Sequence, residues 1–428
     1  MQKRNRIALT LVCMFFGLFI FGFMMFGFAV PPVQAEEIAG TIVIGDDEEI
    51  TGPYSAGTYA HGQAAQDYWK HRNYRMTVDG KVYKIKHLFV DNKCDVSLSV
   101  SNFHRFVSEG AVAVLTNWTP GASAMKPLAE KYKVPITCCS YNKKLYVPPS
   151  NYLYTISTTY SGILCAGMKW YKENVWKGTG KMKVGLLLWD TSMGRAAHVD
   201  SVYDYLREDL NVEVLPTQFF PLKVKDFTPQ LLKFKQQGAD IIFQLATPSQ
   251  YAMLAKDAKR LNITPKMALM SGLWCLTDKY LELAKDAAEG TYGMWQWYVD
   301  PKDDNPSLPE VQKVHDAMEK YRGNRYYDIN YFHGYERHYV LQHILEKTIK
   351  TYGFPITGEQ VAETAANLEE WDWGLSRKFS GYSGGRRLGL NEIRMYQVQN
   401  NKVACVSDWI PEPAKYVARE PWISGDAK

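Results

Sequence analysis

Apolar, β-rich runs separated by amphipathic helical stretches recur from residue 41 to about residue 290, and this alternation narrows the possible folds more than any other feature of the chain. The runs at 41–45, 83–90, 111–116 and 134–138 are apolar throughout rather than alternating, the pattern of strands covered on both faces. Helical stretches lie between them at 59–74, 95–108 and 120–132. The rhythm repeats with strands at 183–189, 213–220, 240–246 and 267–271, and helices near 160–175, 195–210, 227–237, 249–261 and 277–287. Such alternation implies parallel order with right-handed crossovers. The chain therefore reads as α/β, with two doubly wound parallel-sheet lobes of similar build.

The order changes after a further strand at 290–299, where helices at 308–321, 328–350 and 358–368 follow. Strands at 392–399 and 403–410 are joined at Asn400-Asn401, which predicts a tight hairpin turn. A parallel-sheet chain that finishes in a hairpin has returned to an earlier sheet. Short crossings near 155–160, 292–299 and 380–392 then join the lobes and leave a cleft between them. The expected division is 36–157 with 296–385 for the first lobe, 158–295 with 386–412 for the second, and 413–428 as a tail.

Residues 1–35 are of another kind. A basic head (MQKRNR) precedes 24 uncharged residues at 7–30, then Pro31-Pro32 and a small-residue exit at Val33 and Ala35. This is the pattern of an export signal cut after Ala35. The uncharged run is also long enough to span a bilayer as a retained anchor, and either reading places residues 36–428 outside the cytoplasm. Lys3, Arg4 and Arg6 are balanced by no acid in that segment; beyond it, 47 basic residues face 45 acidic ones, a net +2. That excludes the electrostatic footprint of a nucleic-acid binder, and 14% aromatic residues exclude disorder. Six cysteines follow the signal (94, 138, 139, 165, 275 and 405) with no CxxC pair, so neither a zinc nor a redox site is expected. One disulfide at Cys94 suits an exported chain, its partner left open by the sequence.

In open parallel sheets, ligands bind beyond the carboxyl ends of the strands. Those loops fall at 46–58, 91–95, 116–121 and 139–144 in the first half, and at 190–195, 246–250 and 271–277 in the second. Thr119-Pro120 and Thr247-Pro248 each place a threonine at a helix start, where free N–H groups and a partial positive charge suit a carboxylate. The hydroxyls could equally serve only their own helices. Tyr54, Trp118, Tyr141 and Trp274 are loop aromatics suited to walling a small ligand, whereas Trp295 and Trp297 share one strand face and suit core packing.

Enzymatic signatures are missing from the sequence. The His333-Gly-Tyr-Glu336-Arg-His338 run fits neither HExxH nor HxxEH and reads as a surface helix. Gly178-Thr-Gly180 precedes its strand instead of following it, and no G-x-S-x-G elbow occurs.

The segments TGPYSAGTYAHGQAAQDYW, LFVDNKCDVSLSVSNFHRFVSEGAVAVLTN and WTPGASAMKPLAEKYKVPI, with the tract from 183 to 290 ending in AKDAAEG, resemble the bacterial leucine/isoleucine/valine-binding protein family. The likeness runs from about residue 40 to at least 300, and more weakly to VSDWI at 406–410. It implies a type I periplasmic binding fold that hinges shut on a small-molecule solute. It further implies an extracytoplasmic monomer feeding ABC permease subunits in the inner membrane, with no cofactor, metal or catalysis.

By the same resemblance the hydroxyl that holds a substrate carboxylate falls on Thr119. Ser140 and Asn142 stand in the next loop, Met193 at a usual tyrosine, and Thr247 near an aromatic contact. The residue that pairs with a substrate ammonium falls near Leu273, beside Trp274. Trp118 occupies the place of the family's disulfide partner for Cys94. No carboxylate occurs in 271–276, and burying an ammonium without a counter-charge costs several kcal/mol. The residues therefore favour a small organic or aromatic acid, or an amide, while branched-chain amino acids remain the family's default. A sensory receptor subunit of the same fold, signalling through a partner protein, is the alternative.

Overall fold

The computed structural model describes residues 37–147, 150–264, 266–297, 308–323 and 329–423. The expected export signal lies outside these residues, as do the last two residues of the expected 290–299 strand.

Two sheets share one compact unit that begins at Ala39. The first contains β1 (Ile38–Glu48), β2 (Arg75–Val78), β3 (Lys81–Asp91), β4 (Ala111–Thr116), β5 (Ile136–Cys138) and β6 (Leu153–Thr155) in the order β2-β3-β1-β4-β5-β6. β1, β4, β5 and β6 pair in parallel. β2 folds back antiparallel on β3 through Asp79 and Gly80, both at positive φ (47° and 77°), as a two-residue hairpin requires.

The second sheet contains β7 (Lys183–Trp189), β8 (Glu213–Val214), β9 (Gln218–Phe220), β10 (Ile241–Leu245), β11 (Ala268–Ser271) and β12 (Tyr292–Trp295), followed by β13 (Glu392–Gln399), β14 (Lys402–Cys405) and β15 (Ile410–Pro411). Its order is β14-β13-β12-β11-β10-β7-β8, with β9 also on β7 and β15 on β13. Pairing is parallel from β8 to β12 and antiparallel from β12 through β13 to β14. The chain does return to an earlier sheet, turning at Asn400 and Asn401 with φ of 53° and 58°. Every residue of β10 (IIFQL) is buried, as expected for a strand with helices on both faces.

Three segments cross between the sheets side by side. Thr155 accepts from Gly389 N (2.7 Å) and donates to Arg387 O (2.9 Å). Gln296 bonds the Ser157 hydroxyl and reaches Glu392 O at 3.1 Å. The Pro309–Arg322, Ile329–Tyr352 and Gly358–Ala366 helices return to the first sheet. The Ile329–Tyr352 helix packs on the Ser55–His71 helix so closely that a Cβ at Gly334 would lie 2.4 Å from His61 O, which only glycine allows.

Several expectations are corrected. The 213–220 run is two short strands, because Pro216 between them has no N–H to donate to a ladder. The 195–210 helix is broken into Gly194–Ala197, Asp200–Asp204 and Tyr205–Asp209, a 3-10, an α and a π segment. His333, Glu336, Arg337 and His338 do not lie on a surface helix; all four are buried, Arg337 and His338 against Asp46 of the first sheet and His333 against Tyr141, Trp274 and Trp297. The expected tail is packed through residue 423, with Tyr416 buried and donating to Ser161 Oγ at 2.8 Å. All six cysteines of the described residues are free thiols, so Cys94 forms no disulfide with any of them.

Candidate functional site

The carboxyl end of β1 carries Asp46, Asp47, Glu48 and Glu49, none of which is exposed to solvent. Four adjacent buried acids require partners or protons, since an unpaired carboxylate in a dry interior costs several kcal/mol. The fold treats the four differently. Asp46 meets His87 Nε2 (3.0 Å), His338 Nε2 (3.2 Å) and Arg337 Nη2 (3.2 Å). Burial alone would raise its carboxyl, but the Arg337 guanidinium and His338 hold it well below the usual carboxylate range. Glu48 also bonds Arg337 and accepts from Asn117 Nδ2 at 3.0 Å; burial pushes its carboxyl well up against the pull of Arg337. Asp47 accepts from Asn92 (2.8 Å), Ser99 (2.7 Å) and Asn102 (2.7 Å).

Asp46, His87 and His338 bring their ligating atoms within 4.8 Å of one another, a grouping with the donor set of a metal centre. The His338 ring nitrogens are already assigned, however. Trp69 Nε1 donates to His338 Nδ1 at 3.0 Å, which puts the imidazole proton on Nε2, facing Asp46. Burial lowers His338 to about 4, so the ring is neutral with its Nε2 3.2 Å from Asp46. The group is a structural knot tying the Ile329–Tyr352 helix to β1.

Glu49 is the exception. Its Oε1 lies 3.4 Å from Asn92 Nδ2, and its Oε2 has no hydrogen-bond partner. Burial and the neighbouring Asp47 push its carboxyl well above the usual value.

Glu49 lines a cleft between the strand-tip loops of the two sheets. The cavity the cleft encloses is about 40 Å³. The interior is tight, well below the roughly 300–1,000 Å³ of a drug-sized ligand site. Six of the nine residues expected from sequence meet here: Tyr54, Trp118 and Thr119 from the first half, and Met193, Thr247 and Trp274 from the second. The other three do not line it. Ser140 stands behind Thr119, the two hydroxyls 2.6 Å apart. Asn142 donates to Ser192 O at 3.0 Å, in a loop beyond the second sheet. Leu273 is buried in the core.

Neither threonine caps its helix with its side chain. Thr119 is the first helical residue, one position later than expected, and the Thr247 hydroxyl bonds Gln250. Trp274 crosses the cleft, donating to Tyr160 OH at 3.1 Å and stacking within 7° of parallel on both Tyr141 and His333, at 5.4 and 5.1 Å. Tyr54 lies 4.9 Å from Trp189 and 6.3 Å from Trp118. Trp295 and Trp297 are core residues, packed on Tyr396 (4.2 Å) and His333 (4.6 Å).

Sequence reasoning missed Glu49, Thr58, His61, Asn117 and Tyr160 on the cleft wall. The available signal was the position of the acid run: four carboxylates at the tip of the first strand, inside a loop already singled out. Thr58 Oγ1 closes that loop by donating to Glu49 O at 2.6 Å. No lysine or arginine lines the cleft among the described residues, and burial holds His61 well below its usual pKa, hence neutral.

A family model described as periplasmic binding protein matches residues 41–402. No curated protein sequence matches the chain. Among solved structures, a branched-chain amino acid ABC transporter protein from Thermus thermophilus with bound valine is similar at a TM-score of 0.80 and 20% identity, over 89% of this chain and 99% of its own. A fatty acid ABC transporter substrate-binding protein from Thermomonospora curvata gives 0.76 and 21%, over 89% and 95%. A branched-chain amino acid transporter substrate-binding protein from Streptococcus pneumoniae in complex with isoleucine gives 0.68 and 18%, over 86% and 99%. At these identities the likeness speaks for the fold.

Proposed function

The chain belongs to the periplasmic binding protein family, and we propose that it is the extracytoplasmic solute-binding protein of an ABC-type importer, capturing a small amphipathic solute by hinged lobe closure. The family is one of solute-binding proteins. The leading support is convergence: loops from both sheets bring Tyr54, Trp118, Thr119, Met193, Thr247 and Trp274 to one aromatic-walled cleft.

The lobes are 36–157 with 296–385 and 158–295 with 386–412, and their closure completes contacts that neither makes alone. Asn142 reaches Ser192 O, and Tyr54 meets Trp189. A solute held by both walls biases an open–closed equilibrium toward the closed form. That form then docks on a membrane permease, with the protein acting as an exported monomer. Among the described residues no helix is long and apolar enough to cross a membrane.

Valine, isoleucine and fatty acids, named with three similar structures, bracket the solutes to test, together with aromatic acids and short amides. A thermal-shift panel of leucine, valine, benzoate and isobutyramide checks the reading, because binding to the native state raises its apparent stability. At least one should raise the melting temperature and compact the protein in X-ray scattering. A panel that moves neither overturns it.

A further inference from the structure

Resting on that reading of the cleft, the geometry points to its solute class: we propose that the cleft takes a small organic ammonium ion, whose N–H groups are accepted by Glu49 Oε2 and Asn117 Oδ1. Both oxygens are buried on the cleft wall, and neither has a hydrogen-bond partner. Asn117 is oriented by its own donation to Glu48, so its carbonyl oxygen is left over. Two unspent acceptors at one wall call for a donor with at least two hydrogens, because a buried acceptor left unmade costs about 1–3 kcal/mol.

The charge balance selects a cation among such donors. Glu49 is the one carboxylate on the wall, and no cationic side chain among the described residues opposes it. Burial disfavours the ionised form of Glu49 in the empty cleft; an ammonium ion paired with it favours that ionised form, whereas an anionic solute opposes it further. Tyr54, Trp118, Tyr160 and Trp274 supply ring faces and edges around the same space, and aromatic faces attract ammonium groups. The raised pKa of Glu49 in the empty cleft agrees, since a counter-ion would bring it back down. The expected pairing position near Leu273 is thereby replaced from the opposite lobe: Leu273 is core, and the carboxylate comes from the end of β1.

Isothermal titration of the full chain at pH 7 with isobutylammonium, isobutyramide, isobutyrate and leucine separates charge from shape. Isobutylammonium should bind at least tenfold tighter than isobutyramide, and isobutyrate should give no heat. Glu49→Gln should weaken isobutylammonium, and leucine if it binds, about thirtyfold while leaving isobutyramide within threefold. Asn117→Ala should weaken isobutylammonium about fivefold. Isobutyrate binding tightest of the four, or isobutylammonium indifferent to Glu49→Gln, overturns the inference. Leucine or isobutyrate binding with compaction but without dependence on Glu49 overturns it alone and leaves the solute-binding reading standing. No heat and no compaction with any of the four overturns both.

Discussion

Asp46 and Glu49 are three residues apart at the tip of one strand, both fully buried, and they live in opposite surroundings. Behind the strand, Asp46 is held by a guanidinium and two imidazoles, and the charge it carries fastens the Ile329–Tyr352 helix to the first sheet. In front of it, Glu49 has a distant amide and an oxygen with nothing to accept. Desolvating a carboxylate is costly in either place. Where the fold provides the compensation, the charge serves architecture. Where it withholds it, the compensation must arrive from outside.

The comparison breaks most readily at Arg337. Arg337→Met removes the guanidinium and leaves Asp46 and Glu48 without it, which should cost about 3–5 kcal/mol, the range for breaking a buried pair from one side. Chemical denaturation reads this directly, and an unchanged midpoint would mean that the knot behind β1 is ornamental.

Glu412 sharpens the contrast as an intermediate case. This carboxyl is buried with one neutral donor, the Thr158 hydroxyl, near the Glu420 carboxylate. Burial pushes it up to about 7 from 4.5. A carboxyl raised in the folded state binds its proton more tightly there than in the unfolded chain, so its stability contribution is present below pH 4.5 and is lost as pH rises through 7. The span amounts to about 3 kcal/mol. Melting temperatures from pH 5 to 8 should fall for the wild type and fall less for Glu412→Gln; parallel curves would remove Glu412 as the cause.

On the cleft side the expected effects are smaller and fall on binding. Trp118→Ala removes an aromatic wall beside Tyr54 and should weaken the solute about tenfold, roughly 1.4 kcal/mol, with the free protein still melting cooperatively. Equal affinity would take Trp118 out of the site. Least of all, Glu49→Gln should shift the stability of the unliganded protein by less than about 1 kcal/mol, toward stabilisation, because the amide removes the cost of desolvating a carboxyl that burial pushes well above its usual value. A loss as large as that of Arg337→Met would make Glu49 part of the knot.

What could be read from the sequence follows from how local each signal is. β4, β7 and β13 were legible in full, since their apolar runs are bounded by clear breaks. β2 and β6, of four and three residues, are too short for any periodicity to register. Six of nine expected site residues line the cleft because the rule of strand-tip loops depends on topology, which alternation reveals. The burial of the acid run was not legible for the opposite reason. Four consecutive charges look solvated, and the residues that bury them, Arg337 and His338, lie some 290 positions away. The same distance hid the HGYERH helix, whose Arg337 and His338 face those acids.

The three crossings, bonded abreast through Thr155, Arg387, Gly389, Gln296 and Glu392, behave like the spine of a book rather than a swivel. Bonds across a spine resist shear and twist and leave folding as the soft motion. On the proposed importer reading, a cover with a single free motion shuts in the same place every time and gives a docking partner one outline to read. An empty copy that shuts by itself displays that outline too, and the frequency of such blank deliveries, more than the grip on cargo, sets how faithfully arrival can be tied to uptake.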